Sequence, residues 1–540
     1  MGRAFPILRA ALGEPGWTAA LSVAGPRPDR LPARLNRWAE SLGLPPWAGD
    51  LARIELAKRR CGRAALPEPA SLASPTVNPS LQIVECGWSG LAGMFADHPA
   101  PLSSLRPRPE WVLVWKRPGR PSCEIRPASR EELLSLKIRA EDRDPRDVAA
   151  EGGVPVGRID AMLESATWHG ILLSPPSGLT RAFVSRPNGP EVIQRPEVFT
   201  LQWHITQACD LHCRHCYDRS PRAAVTLEQA VAILDGFRDF CRSRYVDGQV
   251  SLSGGNPLLH PQFLEIYQAA ADRNLQTAIL GNPASREMLE KIVAIQRPAF
   301  YQVSLEGLAD HNDEIRGAGH FQRVMDFLPL LRELKVYSMV MLTLTRANAG
   351  QVLPLAECLR DRADLFTFNR LSAVGEGAGL AAVDQRRLED LETAYLAVLP
   401  TNPVMAMKDN LINAVLYREG RSFGGCTGFG CGAAFNFVSV LPDGEAHACR
   451  KFPSPIGNVL NQGWTAVYES DAARLYRRGP DACRGCPIEP GCRGCLAVVH
   501  ASGGDVGRDR DPQCFFEHAP TRERPSRGLQ KHRFGPARSG

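Results

Sequence analysis

The sequence predicts an α/β chain built around a partial (β/α)6 TIM-like barrel, with an α+β domain before it and a cysteine-rich domain after it. Six strand-like runs alternate with helix-length segments between residues 198 and 375, a pattern that indicates a parallel sheet. Beyond about residue 400 the alternation gives way to glycine and cysteine, and seven of the sixteen cysteines fall in 431–514. We therefore divide the chain into residues 1–196, 197–400 and 401–519, followed by a polar basic tail over 520–540.

The composition is that of a soluble globular protein, with 44% hydrophobic and 23% charged residues and a net charge of +6. This charge is small for 540 residues, so it gives no indication of nucleic-acid binding. No apolar run approaches the ~20 residues of a membrane-spanning helix, and the N-terminal apolar stretch is too interrupted for a secretory signal. We expect a cytoplasmic protein, in which clustered cysteines bind metal more often than they form disulfides.

The N-terminal region contains no chemical motif but shows three recognisable patterns. Residues 31–60 have helical spacing interrupted at Pro45-Pro46, and "EWVLVWKR" at 110–117 alternates like a strand. Residues 156–184 predict a helix followed by a short hairpin, an outline found in winged-helix modules. Such a module could bind DNA, but its helix "VGRIDAMLESATWHG" is acidic to neutral. We therefore interpret the region as one for protein interaction or substrate recognition.

The six predicted strands alternate with amphipathic segments such as "TLEQAVAILDGFRDFCRSR" and "GHFQRVMDFLPLLREL". A closed eight-unit barrel typically needs ~250 residues, so six units in a shorter span favour an open partial barrel. The strands, with their residue numbers, are "VFTLQWHIT" (198–206), "GQVSLSGG" (248–255), "LQTAILGN" (275–282), "FYQVSLEG" (300–307), "SMVMLTLTRAN" (338–348) and "DLFTFNRLSAVG" (364–375).

Unusual residues follow five of these strands, and in parallel sheets the carboxyl ends of the strands share one edge. We therefore expect a single site at that edge. Its candidate stretches are the cysteine loop 209–216, "GGNP" at 254–257, "SLEG" at 304–307, "TRAN" at 345–348 and "NRLSAVGEG" at 369–377.

The cysteine loop, "CDLHCRHC", places Cys209, Cys213 and Cys216 in a C-x3-C-x2-C spacing. Three thiols without a nearby fourth suggest a metal centre with one open position. A zinc site completed by His204, His212 or His215 is the alternative, since zinc usually takes four protein ligands in structural sites.

This motif after the first strand of a six-unit barrel resembles the radical S-adenosylmethionine enzymes, over about residues 198–395. The resemblance implies that Cys209, Cys213 and Cys216 hold three irons of a [4Fe–4S] cluster. The fourth iron would bind the amino and carboxylate groups of S-adenosylmethionine.

Further residues carry over from the family's motifs. The resemblance implies that Gly254, Gly255, Asn256 and Pro257 meet the methionine ammonium, although the family's usual residue at position 256 is Glu and its charge is lost here. Other candidate cofactor contacts are Ser304 for the ribose, Arg316 for the methionine carboxylate, His215 and Gly375 for the adenine, and Thr345 and Asn348 on the adenosine side, with Glu306 in place of the family's commoner Asp. No catalytic side chain is identified.

The C-terminal cysteines follow the order of the SPASM extension of peptide-modifying radical enzymes, and "IGNVL" at 456–460 fits the same extension. The resemblance implies one or two auxiliary [4Fe–4S] clusters; a zinc-ribbon site is the alternative. The last two cysteines of the run are two residues apart, where the family has three. The predicted ligands are Cys431, Cys449, Cys483, Cys486, Cys492, Cys495 and Cys514, with Cys426 undecided.

The resemblance implies an enzyme that cleaves S-adenosylmethionine to a 5′-deoxyadenosyl radical and modifies a ribosomally made precursor peptide, with electrons from an external flavodoxin or ferredoxin. The stretch "CRKFPSPIGNVL" is similar to maturases of selenobiotic or thio(seleno)oxazole peptides. Two alternatives remain: a sulfatase-maturing, formylglycine-generating enzyme, and a non-catalytic iron–sulfur protein for electron transfer or peptide binding.

Overall fold

The computed structural model describes residues 2–184 and 191–517 of the chain, so the predicted tail at 520–540 lies outside the described residues. Within those two ranges, no helix is both long and apolar enough to cross a membrane.

The described part of the N-terminal region combines six α-helices with seven short strands. The helices are α1 (Pro6–Ser22), α2 (Leu31–Trp38), α3 (Ala48–Arg63), α4 (Arg130–Ala140), α5 (Pro145–Gly152) and α6 (Val156–Trp168). The strands are β1 (Thr76–Val77), β2 (Gln82–Cys86), β3 (Glu110–Lys116), β4 (Cys123–Pro127), β5 (Leu172–Leu173), β6 (Arg181–Val184) and β7 (Glu191–Gln194). The predicted helices around Pro45-Pro46 and the predicted strand at 110–117 are thereby confirmed.

The antiparallel sheet β2–β3–β4 lies between two hydrophobic cores. Its central strand is buried on both faces because successive side chains point in opposite directions. Val112 and Val114 pack into a core with α1, α2 and α3, whereas Leu113 and Trp115 pack into a core with α4, α5 and α6.

The predicted hairpin after α6 is wrong. Helix α6 forms as expected, but β5 pairs antiparallel with β1, almost a hundred residues earlier in the chain. Strand β6 then pairs with β7. Because β1 and β5 are far apart in the sequence, no local sequence pattern predicts that they pair.

The central region contains the six predicted strands in sequence order, all parallel, as the neighbouring strands β8 to β13 of one sheet. They are β8 (Val198–Thr206), β9 (Asp247–Gly254), β10 (Gln276–Leu280), β11 (Tyr301–Ser304), β12 (Ser338–Leu344) and β13 (Leu365–Arg370). The helices between and after them are α7 (Leu227–Ser243), α8 (Phe263–Ala271), α9 (Arg286–Ile295), α10 (Ala309–Arg316), α11 (His320–Glu333), α12 (Val352–Leu359) and α13 (Gln385–Val398). The predicted parallel α/β sheet is confirmed.

The C-terminal region extends the same sheet beyond β8. Strand β14 (Phe437–Val440) pairs parallel with β8, and β15 (Glu445–His447) and β16 (Pro455–Asn458) continue antiparallel. One hydrophobic core runs through both regions. The remaining helices are α14 (Ile412–Arg418), α15 (Val459–Gln462), α16 (Trp464–Tyr468), α17 (Asp471–Arg478) and α18 (Leu496–Ala501).

Candidate active site

A cavity of about 1000 Å³ contains most of the predicted site. Parallel strands bring their carboxyl ends to one edge of the sheet, which is why residues distant in sequence meet there. The cavity reaches from the cysteine loop after β8 to the C-terminal region. Its lining includes Cys209, Cys213, Cys216, His215, Gly254, Gly255, Ser304, Arg316, Cys426, Cys449, Arg450 and Lys451.

The cysteine loop has no helix or strand of its own and is held by backbone hydrogen bonds. The amide of Arg214 donates to the carbonyl of Ile315 at 3.0 Å, and that of Glu376 donates to the carbonyl of Cys216 at 2.8 Å. Gly375 adopts a φ of +56° there, and a Cβ at this position would lie 2.5 Å from the carbonyl oxygen of Tyr217. Gly375 therefore lets the segment after β13 approach the loop, and its contact with adenine stays a prediction.

The three motif cysteines share this cavity and act on one another electrostatically. Burial raises the pKa of Cys213, and the neighbouring thiols of Cys209 and Cys216 raise it further, whereas Arg316 lowers it. Burial is also the largest cause of the raised pKa of Cys209. Three soft thiol donors beside an arginine fit an iron–sulfur cluster, whose cysteine ligands bind as thiolates.

The carboxylate of Glu306 is the main hydrogen-bond partner of Arg316. Its Oε1 accepts hydrogen bonds from Arg316 Nε at 2.9 Å, Arg316 Nη2 at 2.6 Å and His215 Nε2 at 2.8 Å, while Oε2 accepts one from the Thr343 amide at 2.8 Å. Burial would raise the pKa of Glu306, but His215, Arg316 and these hydrogen bonds outweigh it and lower the pKa to about 2. The carboxylate is therefore ionised and fixes the guanidinium.

Arg316 keeps one nitrogen directed to the cysteine loop, since its Nη1 lies 3.7 Å from Cys213 Sγ. The structure thus brings Arg316, His215 and Ser304 to the same cavity as the cysteines. The predicted contact of Arg316 with a methionine carboxylate remains a prediction.

The glycines of "GGNP" are required by the close approach of two backbone segments. A Cβ on Gly254, whose φ is +128°, would lie 2.0 Å from the carbonyl oxygen of Thr206, and one on Gly255 would lie 2.2 Å from that of Ala208. The Gly255 amide donates to the Thr206 carbonyl at 3.0 Å. Only glycine fits at these distances, because any side chain would push the cysteine loop away.

Asn256 and Pro257 are buried, and neither contributes to the lining of the cavity. The Oδ1 of Asn256 accepts a hydrogen bond from the Leu258 amide at 3.3 Å, and its Nδ2 donates to Asp210 Oδ1 at 3.0 Å. The amide oxygen of Asn256, which the sequence predicts as a cofactor contact, therefore caps the short 3-10 turn that begins at Pro257.

Thr345 and Asn348 fix the backbone near the ends of β11 and β12. Asn348 is 1% exposed, and its Nδ2 donates to the carbonyls of Glu306 at 2.8 Å and Thr343 at 2.9 Å. Its Oδ1 accepts from the Thr345 amide at 2.8 Å. These contacts support the Glu306 backbone, and the adenosine-side role of both residues stays a prediction.

The C-terminal cysteines form two neighbouring groups. In the first, burial raises the pKa of Cys431 to about 11, and the thiols of Cys495 and Cys426 contribute to the rise. Burial likewise raises the pKa of Cys449 to about 12, helped by Cys495 and Cys431. Asn410 joins the segments, because its Oδ1 accepts from the Cys426 amide at 2.7 Å and its Nδ2 donates to the Gly494 carbonyl at 2.7 Å.

The second group lines a small pocket of its own and contains Cys483, Cys486, Cys492 and Cys514. Burial raises the pKa of Cys483 to about 12, with contributions from Cys514 and Cys486. In the described ranges no three or more His, Cys, Asp or Glu side chains converge on a site for a single metal ion.

Three residues of the site were not assigned by the sequence. Cys426 was left undecided, although its glycine-rich surroundings resemble those of Cys431. Arg450 follows Cys449 directly and stacks over the Tyr217 ring at 4.7 Å while bonding to the Ser253 hydroxyl. Asp210 follows Cys209 and bonds to Asn256. Arg450 and Asp210 could have been identified from the sequence, because each is a charged residue directly after a predicted cysteine ligand.

Comparison with known proteins identifies both cysteine regions. Residues 203–358 match the model of the radical SAM superfamily, and residues 431–487 match that of SPASM, an iron–sulfur cluster-binding domain. The chain therefore carries a radical SAM domain followed by a SPASM domain. It is an enzyme whose cofactors are S-adenosylmethionine and [4Fe–4S] clusters, including auxiliary clusters.

The curated relatives are distant. The chain is 23% identical over 349 residues to an AdoMet-dependent heme synthase of Methanosarcina barkeri, covering 58% of this chain and 96% of that protein. It is 23% identical over 310 residues to AlbA, the antilisterial bacteriocin subtilosin biosynthesis protein of Bacillus subtilis, covering 54% and 66%. It is 25% identical over 337 residues to the mycofactocin maturase MftC of Mycobacterium tuberculosis, covering 59% and 83%.

Proposed function

We propose that this radical SAM enzyme with a SPASM domain modifies a ribosomally made peptide inside its cavity. The observation that carries the proposal is the cavity itself, whose lining includes the three motif cysteines together with Cys426 and Cys449 of the first C-terminal group. A substrate in this cavity would lie within reach of both cofactor sites. The relatives named for subtilosin biosynthesis and mycofactocin maturation support a peptide product.

The strands that line the cavity offer polar groups to a peptide. They contribute hydroxyl and carboxamide side chains, which can pair with peptide N–H and C=O groups. The polar lining side chains of the strands are Thr200, Gln202, Gln249, Ser251, Ser253, Gln276, Gln302, Ser304, Thr343 and Asn369.

The cofactors supply the hard chemistry: when bound, the cluster and S-adenosylmethionine provide a 5′-deoxyadenosyl radical that can abstract hydrogen from an unactivated C–H bond. The chain's own residues position and enclose these groups. Cys209, Cys213 and Cys216 hold the cluster, Arg316 orients the methionine carboxylate, and Glu306 keeps the guanidinium in place.

The two C-terminal groups would hold two auxiliary clusters with four cysteines each. Cys426, Cys431, Cys449 and Cys495 form the first set, and Cys483, Cys486, Cys492 and Cys514 form the second. Support for Cys426 comes from Asn410, which ties its backbone to the segment before Cys495. Eight cysteine ligands leave no iron open, so both auxiliary clusters would carry electrons and neither would bind substrate.

The N-terminal 196 residues would recognise the leader of the precursor peptide. Ile83 and Trp111 remain 46% and 43% exposed on the neighbouring strands β2 and β3. Strands β2 and β4 pair on one side only within their sheet, so either edge could accept an added peptide strand. We also propose that residues 197–400 form an open partial barrel. The protein would be cytoplasmic, and a flavodoxin or ferredoxin would be its electron donor.

The test uses the reconstituted holoenzyme with S-adenosylmethionine and dithionite under anaerobic conditions. Short peptides encoded beside its gene and Fe-coproporphyrin III are offered separately, and the Cys213→Ala protein is the control. We expect a mass change in one peptide, together with Cys213-dependent 5′-deoxyadenosine. Conversion of Fe-coproporphyrin III with no peptide modified would contradict the proposal, and a thiol or hydroxyl converted to formylglycine would favour the sulfatase-maturing alternative.

A further inference from the structure

The side chains that line the cavity include more cations than anions. Among the described residues of this lining, Asp218 is the one acid, and its oxygens accept hydrogen bonds from the Gln207 carboxamide at 2.9 Å and the Ser220 amide at 2.8 Å. Asp218 forms no ion pair within the described ranges, so it does not neutralise the cations. The cations of the lining are Arg219, Arg316, Lys408, Arg450 and Lys451.

Three of these cations already have acceptors in the chain. Arg316 bonds to a carboxylate, whereas Arg219 and Lys451 donate to backbone carbonyls. Lys408 and Arg450 differ from them. Within residues 2–184 and 191–517, neither side chain forms an ion pair with a carboxylate, and the ammonium of Lys408 donates no hydrogen bond. Two cations of the cavity are therefore left for an anion that enters it.

Arg450 is nevertheless held in a fixed orientation. Its guanidinium stacks on the Tyr217 ring at 4.7 Å and donates to the hydroxyl of Ser253 in β9. A guanidinium has five N–H donors, so most of those of Arg450 remain available to a ligand. An arginine whose rotamer is already fixed loses little side-chain entropy when it binds an anion.

The position of Arg450 connects the two cofactor sites. In the chain it follows Cys449, which belongs to the first C-terminal group. Its side chain stacks on Tyr217, which follows Cys216 of the cysteine loop. An anion bound to the guanidinium would therefore lie close to both cysteine groups.

The segments that carry Lys408 and Arg450 are both attached to Arg370, the last residue of β13. Asp409 Oδ2 accepts a hydrogen bond from Arg370 Nε at 2.6 Å, and the Arg370 carbonyl accepts one from Lys451 Nζ at 2.8 Å. Lys408 precedes Asp409, and Arg450 precedes Lys451. The two cations without a carboxylate partner thus belong to the same side of the cavity.

A carboxylate suits these cations, because its two oxygens match the planar fork of an arginine. Peptides carry carboxylates on Asp and Glu side chains and at the C-terminus. We propose that Arg450, together with Lys408, binds a carboxylate of the precursor peptide and so positions the peptide beside both cofactor sites. This inference rests on the proposed function, since it names a chemical feature of the peptide substrate.

The test measures binding without turnover. Reconstituted holoenzyme is mixed anaerobically with S-adenosylmethionine, without reductant, and with pools of dodecapeptides whose uncharged positions are randomised around a fixed central residue. One pool has Glu at the centre and a second has Gln, both with acetylated N-termini and amidated C-termini. A third pool has the central Gln and a free C-terminal carboxylate. Peptide retained with the enzyme on ultrafiltration is measured by mass spectrometry, and iron and bound S-adenosylmethionine are measured for each variant.

We expect the wild-type enzyme to retain one of the two carboxylate pools about 10-fold or more over the neutral pool, as for a hydrogen bond between charged groups. The pool that is preferred identifies the source of the carboxylate. R450M should abolish the preference, R450K should keep part of it because the charge stays and the fork is lost, and K408M should reduce it. The control R418M, which changes an exposed ion pair with Glu389, should retain the pools as wild type does.

Equal retention of all three pools would overturn the inference while the peptide proposal stands. A preference that R450M and K408M leave unchanged would overturn it as well. Loss of iron or of S-adenosylmethionine binding in R450M and R450K would assign Arg450 to the cofactor site and not to the peptide. Retention of none of the pools would contradict the peptide substrate itself, so the two failures are distinguishable.

Discussion

Replacing Arg370 by Met should destabilise the junction between β13 and the C-terminal cysteine region. Arg370 is 1% exposed; it donates to Asp409 at 2.6 Å and to Gln513 at 2.7 Å, and it bonds both oxygens of Asp511 at 3.0 and 2.7 Å. Asp511 Oδ2 also accepts from the Cys495 amide at 2.8 Å. The arginine therefore connects the sixth strand to a predicted cluster ligand.

The size of the effect follows from burial. The side chains of Arg370 and Asp511 are 1% and 0% exposed, so solvent hardly screens either charge. R370M fills a similar volume but leaves two buried carboxylates without their cation. Removing one partner of a buried ion pair typically costs ~3–5 kcal/mol, and we expect a loss in this range.

The assay is native-state hydrogen exchange at residues 493–514, together with the urea midpoint of the apoprotein. The matched control is R418M. Arg418 Nη1 lies 2.6 Å from Glu389 Oε1, but the two side chains are 50% and 32% exposed. An exposed pair of this kind contributes ~0–1 kcal/mol. If R370M exchanged and unfolded no more readily than R418M, the reasoning would be refuted.

Three further predictions concern single sites. G255A should lose iron from the cysteine loop, because the new Cβ would lie 2.2 Å from the Ala208 carbonyl oxygen. The control G350A, whose Cβ would meet no atom within 4 Å, should keep its iron. Equal iron contents in the two variants would contradict this prediction. Burial raises the pKa of Glu55 from 4.5 to about 7, so the folded state binds the proton more tightly than the unfolded state does. The free energy of unfolding should therefore fall by about 3 kcal/mol as the pH rises from 4.5 to above 7. E55Q should remove this slope in denaturation curves at pH 4.5 and 7.5, and a slope that persists would assign the dependence elsewhere. The double variant C426A/C431A should lose about four irons, one auxiliary cluster, while C358A keeps all of its iron. Unchanged iron in the double variant would contradict the assignment of these two cysteines to one cluster.

The sequence predicts the central sheet well because its signal is local. Each of the six strands has its own apolar run, and each is followed by an amphipathic helix, so the alternation is visible without knowing any long-range contact. The cysteine spacing is equally local. The cavity could be predicted because the carboxyl ends of parallel strands meet at one edge.

The parts that could not be predicted depend on contacts between distant segments. The pairing of β14 with β8 joins residues more than two hundred positions apart, and that of β5 with β1 joins residues almost a hundred apart. The orientation of Asn256 depends on Asp210, 46 positions earlier. The proximity of Cys426 to Cys495 depends on Asn410. None of these pairings can be predicted from the sequence around either partner alone.

The most direct test of the account is to reconstitute the protein anaerobically and count its iron and sulfide. Reductant and S-adenosylmethionine are then added, and 5′-deoxyadenosine is measured by mass beside the Cys213→Ala protein. Three [4Fe–4S] clusters predict about twelve irons, with 5′-deoxyadenosine formed only when Cys213 is present. Zinc in place of iron, or full iron without cleavage of S-adenosylmethionine, would contradict the account.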